Sequence, residues 1–334
     1  MHKEHKNSPG RKAAATVKLA ILATLVTLGG IAAATFHLNS NANVTEVAPP
    51  AAEPAPAPTY VRAADIVQYG QPNRLFLQSA VAIVMDDRED VMLYGRNVDR
   101  PRPIASLTKL MTALLTLEAG LPLDEPIEIT REDRDRLRGT RSRLRFGAVL
   151  TRYDLLRAAL GASDNRAAAA LGRTYPGGLD AMVQAMNAKA KQLGMTQTRY
   201  ADSSGLDNNN VSTARDLTLL VAETQKQPLF HVLTTTPEFH VTDLATGREV
   251  AFFNTNRLVR RESWDIALSK TGYTAAAGNC LIMQATIDNR PLTIVLLDSW
   301  GKYSRYGDAG RIQRWLQGAE RRVPRLLSAR ASAS

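Results

Sequence analysis

The sequence predicts an α/β protein in which one antiparallel β-sheet is flanked by helices. Short apolar and β-branched runs, typical of strands, occur near both ends of the body of the chain. Apolar residues at helical spacing dominate the stretch between them. With 44% hydrophobic and 22% charged residues among 334, the composition is that of a globular protein and excludes wholesale disorder. Both chain ends are therefore expected to build one sheet, with a helical subdomain inserted between them.

A β-hairpin opens the body, because apolar runs at residues 77–85 and 90–94 flank a polar turn. Two patterns then indicate helices. One is apolar residues at helical spacing, and the other is a Thr followed three residues later by Asp, which is a capping pair. These patterns occur at residues 106–117, at Thr151 with Asp154, at residues 181–193, and at Thr213 with Asp216.

Strand patterns return in the last third of the chain, and a short helical window at residues 308–316 closes the body. The helices between Ser106 and Lys226 would form the inserted subdomain. The late strands are predicted at residues 239–243, 248–253, 266–269, 280–287 and 292–297.

The first 42 residues are predicted to be a signal peptide or a membrane anchor. Five Lys or Arg and one Glu in residues 1–18 precede an uncharged run from Leu19 to Phe36. Small residues at Ser40 and Ala42 favour cleavage there, with residues 32–34 as a rival site. The run of 18 residues is also long enough to anchor the chain in a bilayer. In both cases the positive-inside rule places the rest of the chain outside the cytoplasm.

The net charge of +10 lies mainly at the two ends of the chain. Residues 1–18 carry +4, and a basic tail at 319–334 follows a predicted folded domain at 63–318. A Pro/Ala-rich linker at 43–62 precedes that domain. Export and a near-neutral body argue against nucleic acid as a partner. The exception is residues 131–145, with seven Arg against three acids, interpreted as a solvated surface or as a contact to an anionic polymer or lipid.

Cysteine and histidine are scarce. Cys280 is the only cysteine, which excludes an intramolecular disulfide and a cysteine-based metal cluster. His231 and His240 are the only histidines after residue 37, and neither lies in an H-E-x-x-H pattern. The sequence therefore predicts no metal site and no cofactor, and these three residues are interpreted as structural.

Three short motifs that together are typical of nucleophilic serine chemistry occur in one order along the chain. S-x-x-K alone is a weak signal, since it recurs at Ser299–Lys302, where no helix is evident. The combination is much more specific, with S-x-x-K opening an apolar helix and K-T-G expected to end a strand. The motifs are Ser106-Leu107-Thr108-Lys109, Ser163-Asp164-Asn165 and Lys270-Thr271-Gly272.

The first two motifs supply a nucleophile, a base and a proton relay. Ser106 at a helix N-terminus lies where unpaired N–H groups favour developing negative charge. Lys109, one turn on, can reach the Ser106 hydroxyl and act as its base if the lysine pKa falls. Ser163 can relay a proton to a leaving amine. Asn165 can hydrogen-bond Lys109 or a substrate amide, and Asp164 is interpreted as structural.

The third motif supplies binding groups. Lys270 and Thr271 can bind a carboxylate, and the Lys270 charge would also help to lower the pKa of Lys109. Gly272 would let a substrate backbone lie close to the strand. The backbone N–H groups of Ser106 and Tyr273 would form an oxyanion hole.

This set of residues resembles the penicillin-binding serine D,D-peptidases, specifically the low-molecular-mass D-alanyl-D-alanine endopeptidase/carboxypeptidase family. The resemblance runs from about residue 77 to 316 and implies the β-lactamase/transpeptidase-like fold. It also implies a periplasmic enzyme of the endopeptidase branch, which cleaves D,D cross-links in peptidoglycan through an acyl-enzyme and is inhibited covalently by β-lactam antibiotics. Segments that carry it include PIASLTKLMTALL, FFNTNRLV, LSKTGYTAAAGNCLIMQ and VLLDSWGKYSRYGDAGRI.

Other functions stay open at this point. The motifs themselves do not separate an endopeptidase from a carboxypeptidase that trims terminal D-Ala. A class A β-lactamase needs a glutamate in an E-x-x-x-N motif about 35 residues after S-D-N, but residues 196–208 contain no Glu. Slow deacylation of penicillin is therefore predicted. An inactive wall-binding protein is the alternative of a different class, and the presence of every motif residue argues against it.

Overall fold

The computed structural model describes residues 60–332. The predicted signal peptide or anchor at 1–42 and all but the last residues of the predicted linker lie outside the described residues. Among those that are described, no helix is long and apolar enough to cross a membrane.

Eleven strands and eight α-helices make up the described chain, together with short 3₁₀ turns. The strands are β1 Ser79–Asp86, β2 Val91–Arg96, β3 Arg102–Pro103, β4 Pro126–Glu128, β5 Val149–Thr151, β6 Val211–Ser212, β7 Glu238–Thr242, β8 Glu249–Phe253, β9 Asp265–Thr274, β10 Gly278–Ile287 and β11 Arg290–Ser299. The helices are α1 Ala63–Tyr69, α2 Lys109–Glu118, α3 Arg152–Leu160, α4 Asn165–Arg173, α5 Gly178–Gln192, α6 Ala214–Thr224, α7 Leu229–Thr235 and α8 Ser304–Ala331.

One five-stranded antiparallel sheet, in the order β2-β1-β11-β10-β9, is built from both ends of the chain. The predicted opening hairpin is confirmed, because β1 pairs with β2 and then with β11. Asp288 and Asn289 link β10 to β11 with φ angles of 49° and 62°, the left-handed pair that a tight hairpin requires. The α/β fold class is thereby confirmed, and β9 forms one edge of the sheet.

The sheet is covered on both faces, because side chains alternate along each strand. On one face Val81, Ile83 and Val295 pack with the inserted helices α2 to α6. On the other face Val84 and Met283 pack with α1 and α8. Each face therefore has its own buried apolar cluster, and the inserted helical subdomain is confirmed.

The two predicted capping pairs are confirmed as well. The Thr151 side chain accepts a hydrogen bond from the Asp154 N–H at the start of α3. The Thr213 side chain accepts one from the Asp216 N–H at the start of α6. A side-chain oxygen that satisfies a free helix N–H stabilises the helix by about 1 kcal/mol, so these pairs define where both helices begin.

Three expectations differ from the structure. The predicted closing helix at residues 308–316 is part of α8, which continues to Ala331 and takes up most of the predicted basic tail. K-T-G does not end its strand, because β9 continues to Thr274 before the turn. The hairpin of β7 and β8 forms a separate two-stranded sheet.

Candidate active site

Ser106 lies in a 3₁₀ turn, Ala105–Thr108, that leads directly into α2. The turn begins at Ala105, whose φ of 47° is rare for a residue with a side chain. Backbone strain of this kind persists only where the surrounding packing enforces it. Here the fully buried Leu107 and Leu110 hold the segment against the core. The turn and helix therefore fix the position of the Ser106 hydroxyl, which is partly exposed.

Lys109 is fully buried beneath Ser106. Its Nζ atom lies 2.8 Å from Ser106 Oγ and 2.7 Å from Asn165 Oδ1. The third contact is the backbone carbonyl of Ser204, at 2.5 Å. The predicted reach of Lys109 to the Ser106 hydroxyl is therefore observed, and three oxygen atoms surround the amine.

The segment Ser163-Asp164-Asn165 lies at the start of α4. Ser163 has a φ of 59°, and its Oγ accepts a hydrogen bond of 2.8 Å from Lys270 Nζ. The Asp164 side chain caps α4 by accepting from the N–H groups of Arg166 and Ala167. Asp164 is thus structural, as interpreted, and its cap aims Asn165 at Lys109.

Lys270, Thr271 and Gly272 lie within the edge strand β9, beside the Ser106 turn. A Cβ atom built on Gly272 would lie 3.0 Å from the Ile104 carbonyl oxygen and 3.3 Å from the Ser106 nitrogen. The space that its missing side chain leaves is filled by the chain's own turn, which brings β9 against Ser106.

One open cleft of about 390 Å³ brings the predicted site residues together. Lys109 and Lys270 lie buried beneath it, and the Tyr273 side chain is 64% exposed at its mouth. The cleft is lined by Ser106, Ser163, Asn165, Thr271, Gly272 and Tyr273, and also by Thr255, Arg257, Lys302, Tyr303, Arg305 and Tyr306.

Burial is the largest cause of the lowered pKa values of the two lysines in this site. It lowers the pKa of Lys109 from 10.5 to about 7, against the opposing charges of Asp202, Asp164 and Asp135. The pKa of Lys270 is lowered well below its usual range by burial and then by the positive charges of Lys109 and Arg305. Lys109 is consequently poised to exchange a proton near neutral pH.

Several residues of the site are not predicted from the sequence. Arg305, buried at the start of α8, donates to the Gly272 carbonyl at 3.0 Å and to Asn279 Oδ1 at 3.2 Å, which braces the edge strand. Thr255 accepts a hydrogen bond of 2.7 Å from Thr271 Oγ1. Ser204 contributes only a carbonyl, which every residue has. The sequence feature that could have indicated a turn at this position is D-S-S-G at residues 202–205.

Within residues 60–332, no group of three or more His, Cys, Asp or Glu side chains could hold a metal ion. Cys280 is buried, and the His231 ring lies 3.1 Å from the Ala267 carbonyl.

Known proteins that resemble this chain cover most of its length. The chain is 46% identical over 259 residues to the D-alanyl-D-alanine endopeptidase of Pseudomonas aeruginosa, covering 78% of this chain and 84% of that protein. It is 44% identical over 241 residues to the D-alanyl-D-alanine endopeptidase of Escherichia coli, covering 72% and 78%. Penicillin-binding protein D2 of Listeria monocytogenes, solved in its ampicillin-bound form, superposes with a TM-score of 0.61 at 31% identity, covering 74% of this chain and 98% of that one.

A family model described as D-alanyl-D-alanine carboxypeptidase, of the S11 peptidases, matches residues 68–301, which span all three motifs. The chain is therefore a member of the D-alanyl-D-alanine carboxypeptidase family of serine peptidases, to which the low-molecular-mass penicillin-binding proteins belong.

Proposed function

We propose that this protein is a serine D,D-endopeptidase that hydrolyses the D-Ala–diaminopimelate cross-links of peptidoglycan through an acyl-enzyme on Ser106. The observation that carries the proposal is the buried Lys109 amine, 2.8 Å from Ser106 Oγ and with its pKa lowered to about 7. Relatives that bear the name endopeptidase support cleavage of cross-links over trimming of termini.

Lys109 is the general base of this mechanism. A neutral lysine amine has two N–H donors and one lone pair. Asn165 Oδ1 and the Ser204 carbonyl take the two donors, so the lone pair is left for the Ser106 hydroxyl. Ser106 Oγ then attacks the D-Ala carbonyl carbon while its proton passes to Lys109 Nζ.

Ser163 and Lys270 complete the acylation step. When the C–N bond breaks, Ser163 Oγ gives its proton to the leaving amine and takes one from Lys270 Nζ, 2.8 Å away. The substrate carboxylate beside the scissile bond binds Lys270 and Thr271 and favours the charged form of that lysine. Lys109 then gives up to solvent in the cleft the proton that it took from Ser106, and Lys270 regains one, so both lysines return to their starting states. Neutral Lys109 next accepts a proton from water, whose oxygen attacks the acyl carbonyl carbon, and returns it to Ser106 Oγ as the bond between Ser106 and the acyl group breaks.

The oxyanion of each tetrahedral intermediate is assigned to the N–H groups of Ser106 and Tyr273. The close approach of Gly272 to the Ser106 nitrogen, 3.3 Å from an added Cβ, places the two segments side by side. Donors held by a helix start and a strand edge need no rearrangement when the charge develops.

β-Lactams are proposed to acylate Ser106, as the ampicillin-bound relative suggests. Asp202, in the loop where a class A β-lactamase would carry its glutamate, accepts the N–H groups of Ser204 and Asp207 with its two carboxylate oxygens. Penicillin should therefore remain bound for long periods.

The leader at 1–42 is proposed to direct the 63–318 domain to the periplasm, cleaved as a signal or retained as an anchor.

The pH dependence of acylation should report Lys109. Because the base must be unprotonated, kcat/KM for acylation should be low below pH 6 and rise through half its maximum near the Lys109 pKa of about 7. The check is the second-order rate of penicillin labelling from pH 5 to 9. A rate that is flat across this range would contradict the assignment of the base.

Product analysis with purified, cross-linked muropeptide dimers tests the proposed activity. The expected result is conversion of dimers to monomers. Release of terminal D-Ala with the dimers left intact would instead favour a carboxypeptidase. If protein that penicillin still labels forms neither product, both the endopeptidase and the carboxypeptidase assignments are wrong.

A further inference from the structure

A second groove adjoins the catalytic cleft, between the first turns of α8 and the 3₁₀ turn Arg257–Arg260. It encloses about 610 Å³, compared with about 390 Å³ for the cleft. Arg257, Tyr303 and Tyr306 line both, so the two spaces adjoin at these three side chains. We call it the arginine groove, because it is lined by Arg257, Arg261, Arg311 and Arg314.

The positive charge of this groove is largely uncompensated. Among the residues that the structure describes, its lining holds no Asp or Glu, and Arg311 is its one arginine with an ion pair, with Asp308 at 2.8 Å. Within residues 60–332, the guanidinium groups of Arg257, Arg261 and Arg314 form no ion pair or hydrogen bond. Arg257 instead lies over the Tyr303 ring, 4.9 Å from its centre. Such a concentration of one charge attracts a ligand of the opposite charge.

The shape of the groove leaves the arginines accessible. Gly307 and Gly310 present bare backbone on α8. A Cβ built on Gly307 would lie 3.3 Å from Arg311 Nη1, and one on Gly310 would lie 3.4 Å from Arg314 Nη1. Glycine weakens a helix relative to alanine, yet here it leaves room for both guanidinium groups to lie along the helix surface.

We propose that the arginine groove is a subsite for the carboxylate groups of the cross-linked peptide, on the part of the substrate that extends beyond the scissile bond. This inference rests on the proposed endopeptidase function. Guanidinium groups match carboxylates in paired hydrogen bonds. Because the groove adjoins the cleft at Arg257, Tyr303 and Tyr306, a peptide held at Ser106 can reach it across these side chains. The occupant is thus an acidic peptide, since a neutral glycan would leave the cations unused.

The test compares two double variants that remove the same charge. Arg261→Gln with Arg314→Gln removes two groove cations that do not line the cleft. Arg321→Gln with Arg325→Gln removes two exposed cations from α8 outside the groove. We expect the groove variant to lose about tenfold in kcat/KM for acidic cross-linked dimers, mainly through KM, as for loss of a charge-assisted hydrogen bond. The outer variant should behave as the wild type.

Two further measurements separate this inference from the proposed function. Penicillin labelling reports an intact cleft, and it should proceed at the wild-type rate in both variants. Dimers that keep the carboxylate beside the scissile bond but have the other carboxylates on that side amidated should be poorer substrates for the wild type, with no added loss in the groove variant. Equal cleavage of acidic dimers by wild type and groove variant would overturn the inference. Failure of the wild type to cleave any dimer would overturn the proposed function instead.

Discussion

Replacing Ser106 with Ala should abolish both cleavage of cross-linked dimers and labelling by penicillin. Removal of an attacking serine costs at least about 10⁴-fold in turnover, since no other group can form the acyl-enzyme. The fold should survive, because the Ser106 side chain is partly exposed and a smaller side chain fits its position. Purified variant protein, compared by melting temperature, penicillin labelling and muropeptide products, provides the measurement.

The chain contains a matched control for this variant. Ser299 opens the second S-x-x-K sequence, yet it lies at the end of β11 and its Oγ is 2.6 Å from the Ser79 hydroxyl in a buried contact. Ser299→Ala should keep penicillin labelling and cleavage, with some loss of thermal stability. Persistence of both activities in Ser106→Ala would mean that the nucleophile is assigned wrongly.

Replacing Lys109 with Met should slow acylation by about 10³-fold, the usual contribution of a positioned general base. Met has nearly the length of Lys but no amine, so Ser106 keeps its place and loses its proton acceptor. The rise of the labelling rate near pH 7 should disappear together with the amine. Stopped-flow labelling by a fluorescent penicillin, from pH 5 to 9, measures both effects.

A second lysine in the inserted subdomain serves as the comparison. Lys189 is also nearly buried, but it pairs with Glu118 and Glu223, and it does not line the cleft. Lys189→Met should lower stability and leave the labelling rate and its pH profile unchanged. If Lys109→Met labels at more than a tenth of the wild-type rate with the same profile, Lys109 is not the base.

Contacts between residues that are close together in the sequence are the ones that the sequence predicts correctly. Ser106 and Lys109 are three residues apart, so their contact follows from the geometry of one helical turn. The capping pairs and hairpin turns are local in the same sense. The predicted eight-residue site also meets in one place, since three motifs in a fixed order indicate a shared fold.

Contacts between distant segments are harder to predict. The Ser204 carbonyl lies 95 residues along the chain from its partner Lys109, and Arg305 lies 33 residues from its partner Gly272. Neither residue lies in a distinctive sequence pattern. The full length of α8 is not predicted from the sequence for a different reason. Gly318 and Pro324 are typical helix breakers, but Ala319 and Val323 are fully buried. Glu320 accepts a hydrogen bond of 2.7 Å from Arg290, so tertiary packing extends the helix past both breakers.

Titration with penicillin tests most directly whether one serine performs the cleavage of cross-links. Purified protein is labelled to increasing fractions, the labelled peptide is mapped, and the remaining rate of dimer cleavage is measured in each sample. The proposed mechanism predicts that the rate falls linearly to zero at one penicillin per chain, with the label on Ser106. Cleavage of dimers by fully labelled protein, or a label on another residue, would contradict it.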